Sequence, residues 1–365
     1  MRHWGVRKSD KPLSAKQGAE VIIHRAARIE DAVHEFRQKR AQASGKVPTV
    51  IPFTGYGSTT WVRVLARVLL TTPPRPGSRE DRKARTQHES VRGWRSFTSV
   101  PFGNASVTVE AGGGSHTVAA DRGGVVDAVI EVVLEPGWQT VTIGIDGGQT
   151  VEAPIFVLDP SSRFGVVSDI DDTVMVTALP RPLLAAWNTF VLDEHARVPT
   201  PGMAVLLERL TTENPTSPVI YLSTGAWNVA PTLSRFLSRN LYPAGPLLLT
   251  DWGPTHDRWF RSGREHKREN LRRLAREFPD VRWLLIGDDG QHDEEIYADF
   301  AIDFPESIAA VAIRQLSPSE AVLAGGRSND EVHTEQTGAT WVYAPDGAGI
   351  SAQLTEAGIL QLPPR

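Results

Sequence analysis

The sequence contains no cysteine, which excludes disulfide bonds and thiolate metal sites. No apolar stretch is long enough to span a bilayer, and the basic N-terminus is not followed by the apolar segment of a secretory signal. The net charge of −4 provides no basic field for binding nucleic acid. We therefore expect a soluble, cytoplasmic protein that does not bind nucleic acid, and the sequence leaves its oligomeric state open.

The first 46 residues are locally basic and have a helical pattern. Apolar residues recur at helical spacing between Val21 and Phe36, and no proline interrupts residues 14–43. We predict one long amphipathic helix over this stretch. It either packs across a domain or lies on a membrane surface, and its acidic residues favour the first alternative.

The rest of the 365 residues is long enough for two further cores. In residues 47–160, short runs of Val, Thr, Ile and Trp alternate with Gly and Pro, which predicts an all-β, sandwich-like domain. In residues 161–318, apolar strands alternate with helical stretches, which predicts a parallel sheet with helices on both faces. Residues 319–365 are expected to form a tail that packs on this sheet. The predicted fold class is α/β, with the N-terminal helix and the all-β domain in front.

Three carboxylates follow the first strand of the α/β region, in the stretch RFGVVSDIDDTVMV. Asp169, Asp171 and Asp172 are predicted at the strand's carboxyl end, where open α/β sheets bind ligands. Placing three carboxylates together beside an apolar strand is energetically unfavourable unless they interact with a cation or a phosphoryl group. Asp169 and Asp171 would share one side of an extended segment, as a nucleophile and a general acid/base require. Thr173 would orient Asp171 or bind phosphate; a surface turn rich in Asp is the alternative.

Further polar residues occur at the ends of later predicted strands or at the starts of helices. They are Ser223 and Thr224 after VIYL, Lys267 at the start of a helix predicted to end at Phe278, and Asp288, Asp289 and Asp293 in GDDGQHDEEIY. Each alone has an ordinary interpretation, namely a helix cap, a solvated lysine or a turn. Together with DxDxT, their order resembles the four-part signature of the haloacid dehalogenase superfamily of phosphohydrolases.

This resemblance implies a haloacid-dehalogenase-like sheet and hydrolysis of a phosphate monoester through an aspartyl-phosphate. Lys267 and Mg²⁺ would offset the repulsion between the phosphate and the attacking carboxylate. The residues with implied roles are Asp169, Asp171 and Lys267 in catalysis; Thr173, Ser223 and Thr224 in substrate binding; and Asp169, Asp171, Asp288 and Asp293 in metal binding. Asp171 would contribute its backbone carbonyl to the metal. Whether Asp289 or Asp293 is the second acid of the last motif stays open.

Longer motifs point to one family within this superfamily. The stretches YLSTGAWNVAPTLSRFL, GREHKRENLRRLAREFPD and, above all, GDDGQHDEEIYADFA resemble the catalytic domain of the actin-patch phosphatidate phosphatase family, in a bacterial-type member. The similarity runs from about Ile51 to Leu316 and implies Mg²⁺-dependent conversion of phosphatidate to diacylglycerol. The alternatives are a phosphatase for soluble or protein-bound phosphomonoesters, and a non-catalytic lipid-binding or scaffold module. A lipid substrate would require a peripheral membrane contact, through the basic N-terminal helix or through Trp252 and Trp259.

Overall fold

The structure is a computed structural model that describes residues 35–73, 99–176, 197–250, 256–290, 292–324 and 336–361. Within these ranges, no helix combines the length and the apolar character needed to cross a membrane. Residues 35–43 are helical, and the rest of the predicted N-terminal helix lies outside the described residues.

Eight strands among the described residues form one sheet, here called the β domain. They are β1 Val47–Ser58, β2 Trp61–Thr71, β3 Val100–Pro101, β4 Ser106–Ala111, β5 Gly114–Ala119, β6 Val125–Glu131, β7 Gly137–Ile145 and β8 Val151–Val157. Hydrogen bonds join them in the order β3-β2-β1-β8-β7-β4-β5, and β6 pairs with β2 beside β3. Side chains from distant strands, such as Val64 of β2 and Val107 of β4, share one hydrophobic cluster, so the sheet curls around its own core.

This arrangement differs from the two separate sheets of a sandwich. The difference arises at β1 and β8, which pair in parallel over Gly55–Gly57 and so join the two antiparallel groups of strands. The runs of Val, Thr, Ile and Trp in the sequence correctly predict strands, and β4 shows the alternating burial of a strand with one buried face. The sequence pattern carries no information about which edges pair, because that depends on residues far apart in the chain.

The second domain contains a parallel sheet. Its region comprises β9 Phe164–Asp169, β10 Met175–Val176, β11 Val198–Pro199, β12 Val219–Ala226, β13 Leu247–Thr250, β14 Arg282–Asp288, β15 Ile308–Arg314 and β16 Trp341–Ala344. Six of these form one sheet in the order β13-β12-β9-β14-β15-β16, with every neighbouring pair parallel. The predicted α/β class with a parallel sheet is confirmed. The edge strand β16 comes from the region that the sequence assigns to a tail.

Helices connect these strands. They are α1 Met203–Glu213, α2 Ala230–Arg239, α3 His256–Glu277, α4 Asp293–Asp303, α5 Pro318–Ala324 and α6 Gly347–Glu356. The prediction that Lys267 opens a helix is wrong, because α3 begins at His256 and Lys267 lies in its middle. Gly263 does not interrupt this helix. A Cβ there would lie 3.1 Å from Thr224 Cγ2, so glycine permits close packing of α3 on β12.

The two domains share a hydrophobic interface along β2. Val62 and Val64 point into the core of the β domain, whereas Leu65 and Leu69 belong to the cluster that contains the parallel sheet. Side chains on a strand alternate between its two faces, so β2 is buried on both. The β domain thus covers one side of the parallel-sheet domain.

Polar contacts fasten the β domain to the C-terminal half of α3. The Tyr56 hydroxyl donates to Glu277 Oε2 at 2.9 Å, and Arg63 forms ion pairs with Glu277 and with Asp127. Arg273 Nη1 also lies 2.9 Å from Asp127 Oδ2. The helix that carries Lys267 is therefore held from both domains.

Candidate active site

Three buried carboxylates meet at the carboxyl edge of the parallel sheet. Asp169 ends β9, and Asp288 ends the neighbouring strand β14. Asp293 is the first residue of α4, where the helix dipole favours a negative charge. One oxygen from each carboxylate lies within 4.8 Å of the others, and all three side chains are buried. This arrangement suits a bound cation.

Lys267 lies inside this acid cluster. Its Nζ is 2.7 Å from Asp169 Oδ1 and 2.6 Å from Asp293 Oδ1, and its side chain is only 2% exposed. Burial disfavours the charged lysine, but the two carboxylates outweigh this effect and hold the pKa of Lys267 above its usual value. The ammonium group is therefore charged and links the β9 end to the start of α4.

A single lysine does not balance three carboxylates. Burial raises the pKa values of Asp169 and Asp288 well above the usual value, and Asp293 adds to the rise at both. The Oδ2 atoms of Asp169, Asp288 and Asp293 are buried without a hydrogen-bond partner among the described residues. Open carboxylate oxygens of this kind are the ligands that Mg²⁺ prefers. The site therefore fits a divalent cation by its donor atoms and by its charge.

Asp171 has a different environment from Asp169. Ser223 Oγ, near the end of β12, donates to Asp171 Oδ2 at 3.0 Å, and the Gly225 amide donates to Ser223 Oγ at 2.9 Å. Burial raises the pKa of Asp171 to about 6, the nearby Asp172 adds to the rise, and the Ser223 hydrogen bond opposes it. A carboxyl with this pKa exchanges its proton near neutral pH, as general acid/base catalysis requires.

The loop between β9 and β10 folds back on itself. The amides of Val174 and Met175 both donate to the Ile170 carbonyl at 3.1 Å, and Asp172 adopts a left-handed conformation with φ of 60°. Asp tolerates this region better than most residues. Thr173 is fully buried, and its Oγ1 has no hydrogen-bond partner in the described part of the chain. Thr224 packs its Cγ2 toward Gly263 of α3.

Residues 164–315, which contain all of these groups, match the family model of the phosphatidate phosphatase APP1 catalytic domain. These residues are therefore similar to that catalytic domain. An uncharacterized protein of Schizosaccharomyces pombe is 31% identical over 169 residues, which is 44% of this chain and 26% of that protein. Phosphatidate phosphatase APP1 of Saccharomyces cerevisiae is 28% identical over 157 residues, which is 42% of this chain and 26% of that protein.

The chain therefore spans about a quarter of the length of the curated relatives that it matches. Among solved structures, a carbohydrate acetylesterase from Xanthomonas citri covers 76% of this chain and 73% of its own, at 11% identity and a TM-score of 0.25. That score is too low for the likeness to bear on fold or function. The likeness to the phosphatidate phosphatase APP1 catalytic domain therefore rests on the sequence matches alone.

Within the matched residues 164–315, the side chains of Asp289 and Asp293 have different contacts. Asp289 Oδ1 accepts from the Leu316 amide at 2.9 Å, so its side chain is bound to the segment after β15, while Asp293 lies in the acid cluster. Gly287 leaves room for Asp293, because a Cβ at Gly287 would lie 2.5 Å from Asp293 Oδ2. The glycine of the GDD motif is therefore required by this close approach.

Two buried arginines of residues 164–315, Arg197 and Arg314, were not predicted as site residues from the sequence. Arg197 is buried, and its positive charge lowers the pKa of Asp171 against the larger effect of burial. Arg314 ends β15, is 4% exposed, and donates to the Asp172 carbonyl at 2.7 Å. A charged residue that closes an apolar strand is the one signal in the sequence that points to Arg314. No comparable pattern marks Arg197.

Proposed function

We propose that the protein is a Mg²⁺-dependent phosphatase with a haloacid-dehalogenase-like catalytic domain, and that phosphatidate is its leading substrate. The observation that carries the proposal is the buried cluster of Asp169, Asp288 and Asp293 around Lys267, with open oxygens at the carboxyl edge of the sheet. The name of the yeast relative, phosphatidate phosphatase APP1, supports the choice of substrate. The product would be diacylglycerol.

In the proposed reaction, Asp169 is the nucleophile. One of its carboxylate oxygens attacks the phosphorus, the bond from phosphorus to the leaving alkoxide breaks, and an aspartyl-phosphate forms. Lys267 binds the other Asp169 oxygen, so it orients the nucleophile and reduces its repulsion from the phosphate. The proposal needs this cation, because two anions would otherwise approach each other in a buried site.

Asp171 is the proposed acid and base. Its raised pKa lets it hold a proton, which it gives to the leaving alkoxide. The resulting carboxylate then takes a proton from the water that attacks the aspartyl-phosphate, which releases phosphate and regenerates Asp169. Ser223 donates its single hydroxyl hydrogen to Asp171, so we assign it to orient Asp171. A role for Ser223 in binding the phosphoryl group would require its hydroxyl to rotate.

Mg²⁺ would supply positive charge that offsets the negative charge of the phosphoryl group. Asp169, Asp288 and Asp293 would hold it, together with the backbone carbonyl of Asp171. Thr173, whose buried hydroxyl lacks a partner among the described residues, is the proposed phosphate-binding group in the loop. Thr224 is a weaker candidate because its methyl group packs toward α3.

A phosphatase for soluble or protein-bound monoesters is the second candidate, because the chain covers only a quarter of the phosphatidate phosphatase that it matches. A non-catalytic lipid-binding or scaffold module is less consistent with the complete acid set. We place the proposed enzyme in the cytoplasm, peripherally at a membrane surface. The segments proposed for membrane contact, most of residues 1–46, Trp252 and the Trp259 side chain, lie outside the described part of the chain.

The test is phosphate release from phosphatidate vesicles and from the soluble ester p-nitrophenyl phosphate, with Mg²⁺ and after chelation. Asp169→Asn should abolish release from both substrates and leave the fold intact, whereas Asp146→Asn, at an exposed carboxylate in the β7–β8 turn, should have no effect. Normal turnover by Asp169→Asn would exclude the covalent mechanism. Full activity after chelation would exclude the metal requirement, and hydrolysis of the soluble ester alone would favour the second candidate.

The membrane contact has its own test. Deleting residues 1–46 should weaken binding to anionic vesicles and spare hydrolysis of the soluble ester, since a basic residue near such a surface contributes about 1 kcal/mol. Equal loss on both substrates would instead give this segment a structural role.

A further inference from the structure

Arg314 makes three directed contacts although it is buried at the end of β15. Its Nη1 donates to the Asp172 carbonyl at 2.7 Å, its Nη2 to Glu320 Oε1 at 2.7 Å, and its Nε to the Pro345 carbonyl at 3.3 Å. A guanidinium has a rigid fork of donors, so these three bonds fix its position. Arg314 therefore joins the loop after β9 to α5 and to the segment that precedes α6.

The loop that Arg314 reaches, residues 170–174, is here called the acid loop. Its turn depends on Asp172, whose left-handed backbone costs energy in any residue other than glycine and persists only where the surroundings impose it. Arg314 binds the carbonyl of this residue, next to the peptide that carries Asp171. A charged donor at this point stabilises the loop conformation in which Asp171 meets Ser223.

The same strand end also binds the loop that follows β14. The Asp289 amide donates to the Arg314 carbonyl at 3.1 Å, and the Leu316 amide donates to Asp289 Oδ1 at 2.9 Å. Asp289 follows Asp288 directly, so residues 314–316 hold both acid-bearing loops. Residues 314–316 therefore fix the distance between these two loops.

Glu320 fixes Arg314 from the C-terminal region. One of its oxygens, Oε2, accepts from the Ser317 amide at 2.8 Å, and the Glu320 amide donates to Ser317 Oγ at 3.3 Å. These reciprocal bonds form a capping box at the start of α5. The other oxygen, Oε1, is held in place for Arg314. The region after β15 therefore also holds the Arg314 side chain in position.

We propose that Arg314, held by Glu320, is a positioning residue that sets the acid loop against the Asp288 loop for catalysis. The inference rests on the proposed phosphatase function for its catalytic part. Arg314 does not contact the reacting atoms in this role; it acts through the carbonyl of Asp172. The role also explains why a buried arginine follows an apolar strand.

The test compares Arg314→Met, Arg314→Lys and Arg282→Met in the full chain. Arg282, an exposed arginine, is the control for loss of an arginine–carbonyl hydrogen bond, because its Nε donates to the Ile308 carbonyl at 3.1 Å in the same sheet, at the opposite end of the strands. Hydrogen exchange of a peptide that spans residues 170–176 reports on the acid loop, and a peptide from β14 reports on the sheet itself. The kcat and KM for p-nitrophenyl phosphate report on catalysis.

We expect exchange of the 170–176 peptide to rise about tenfold or more in Arg314→Met, the effect of losing one hydrogen bond to a charged group, with little change in the β14 peptide. The kcat should fall about tenfold or more at a KM within about twofold of the wild type. Arg314→Lys should restore part of the exchange protection and part of the kcat, because lysine keeps the positive charge but lacks the planar set of guanidinium donors. Arg282→Met should change neither.

The inference is wrong if Arg314→Met leaves exchange of the acid loop like that of Arg282→Met. It is also wrong if the β14 peptide accelerates equally, because Arg314 would then be a general structural residue. A wild-type protein that releases no phosphate with or without Mg²⁺ would overturn the proposed function and the catalytic part of this inference. The exchange measurement would still decide whether Arg314 positions the loop.

Discussion

Replacement of Lys267 by Met should destabilise the metal-free protein more than most single substitutions. Lys267 is the cation that touches both Asp169 and Asp293, at 2.7 and 2.6 Å, and its side chain is 2% exposed. Without it, three buried carboxylates repel one another with no adjacent ammonium group. Removing one partner of a buried ion pair typically costs about 3–5 kcal/mol. Met has a similar length, so loss of packing adds little to this value.

The free energy of unfolding would be measured by urea denaturation in the presence of a chelator. The control is Lys39→Met, since Lys39 is 78% exposed and pairs with Glu35 across one helical turn at 3.5 Å; its loss should cost about 0.5 kcal/mol or less. Adding Asp293→Asn to Lys267→Met should recover part of the stability, because it removes one unbalanced charge. The double variant should stay inactive. A loss below about 1 kcal/mol for Lys267→Met would refute the charge-balance argument.

Further substitutions test other parts of the structure. Gly287→Ala should reduce phosphate release, because the added Cβ would lie 2.5 Å from Asp293 Oδ2. The control is Gly144→Ala, in which the added Cβ would lie 3.5 Å from the nearest atom. Equal activity of the two variants would contradict the argument. Asp171→Asn should stabilise the metal-free protein more at pH 7 than at pH 4, because a folded-state pKa of about 6 means that the charged carboxyl opposes folding above that pH. A pH-independent difference in urea midpoints would disprove this. Glu277→Ala should lower the free energy of unfolding by about 1–3 kcal/mol, since the buried Tyr56 hydroxyl loses its acceptor and Arg63 loses one of its two ion pairs. No change would show that these contacts do not hold the domains together.

The local pattern of the chain is sufficient for much of the fold. Strands β9, β12, β14 and β15 are close to the predicted apolar runs, and the alternation of strands and helices correctly indicates a parallel sheet. The pairing of β1 with β8 and the membership of β16 in the parallel sheet are not predictable in this way. Short strands carry no signal for the edge with which they pair, because hydrogen-bond partners lie far apart in sequence.

The sequence alone determined that acidic side chains follow strands of the parallel sheet and that residues 164–315 are similar to the phosphatidate phosphatase APP1 catalytic domain. Those properties follow from short motifs at strand ends, which the chain encodes locally. Only the tertiary structure decided that Lys267 lies buried in the middle of a helix and that Asp293, unlike Asp289, joins the acid cluster. It also revealed Arg314, which approaches the acid loop from another strand. A buried charge is tolerated only with partners, and those partners come from segments that only the folded chain brings together.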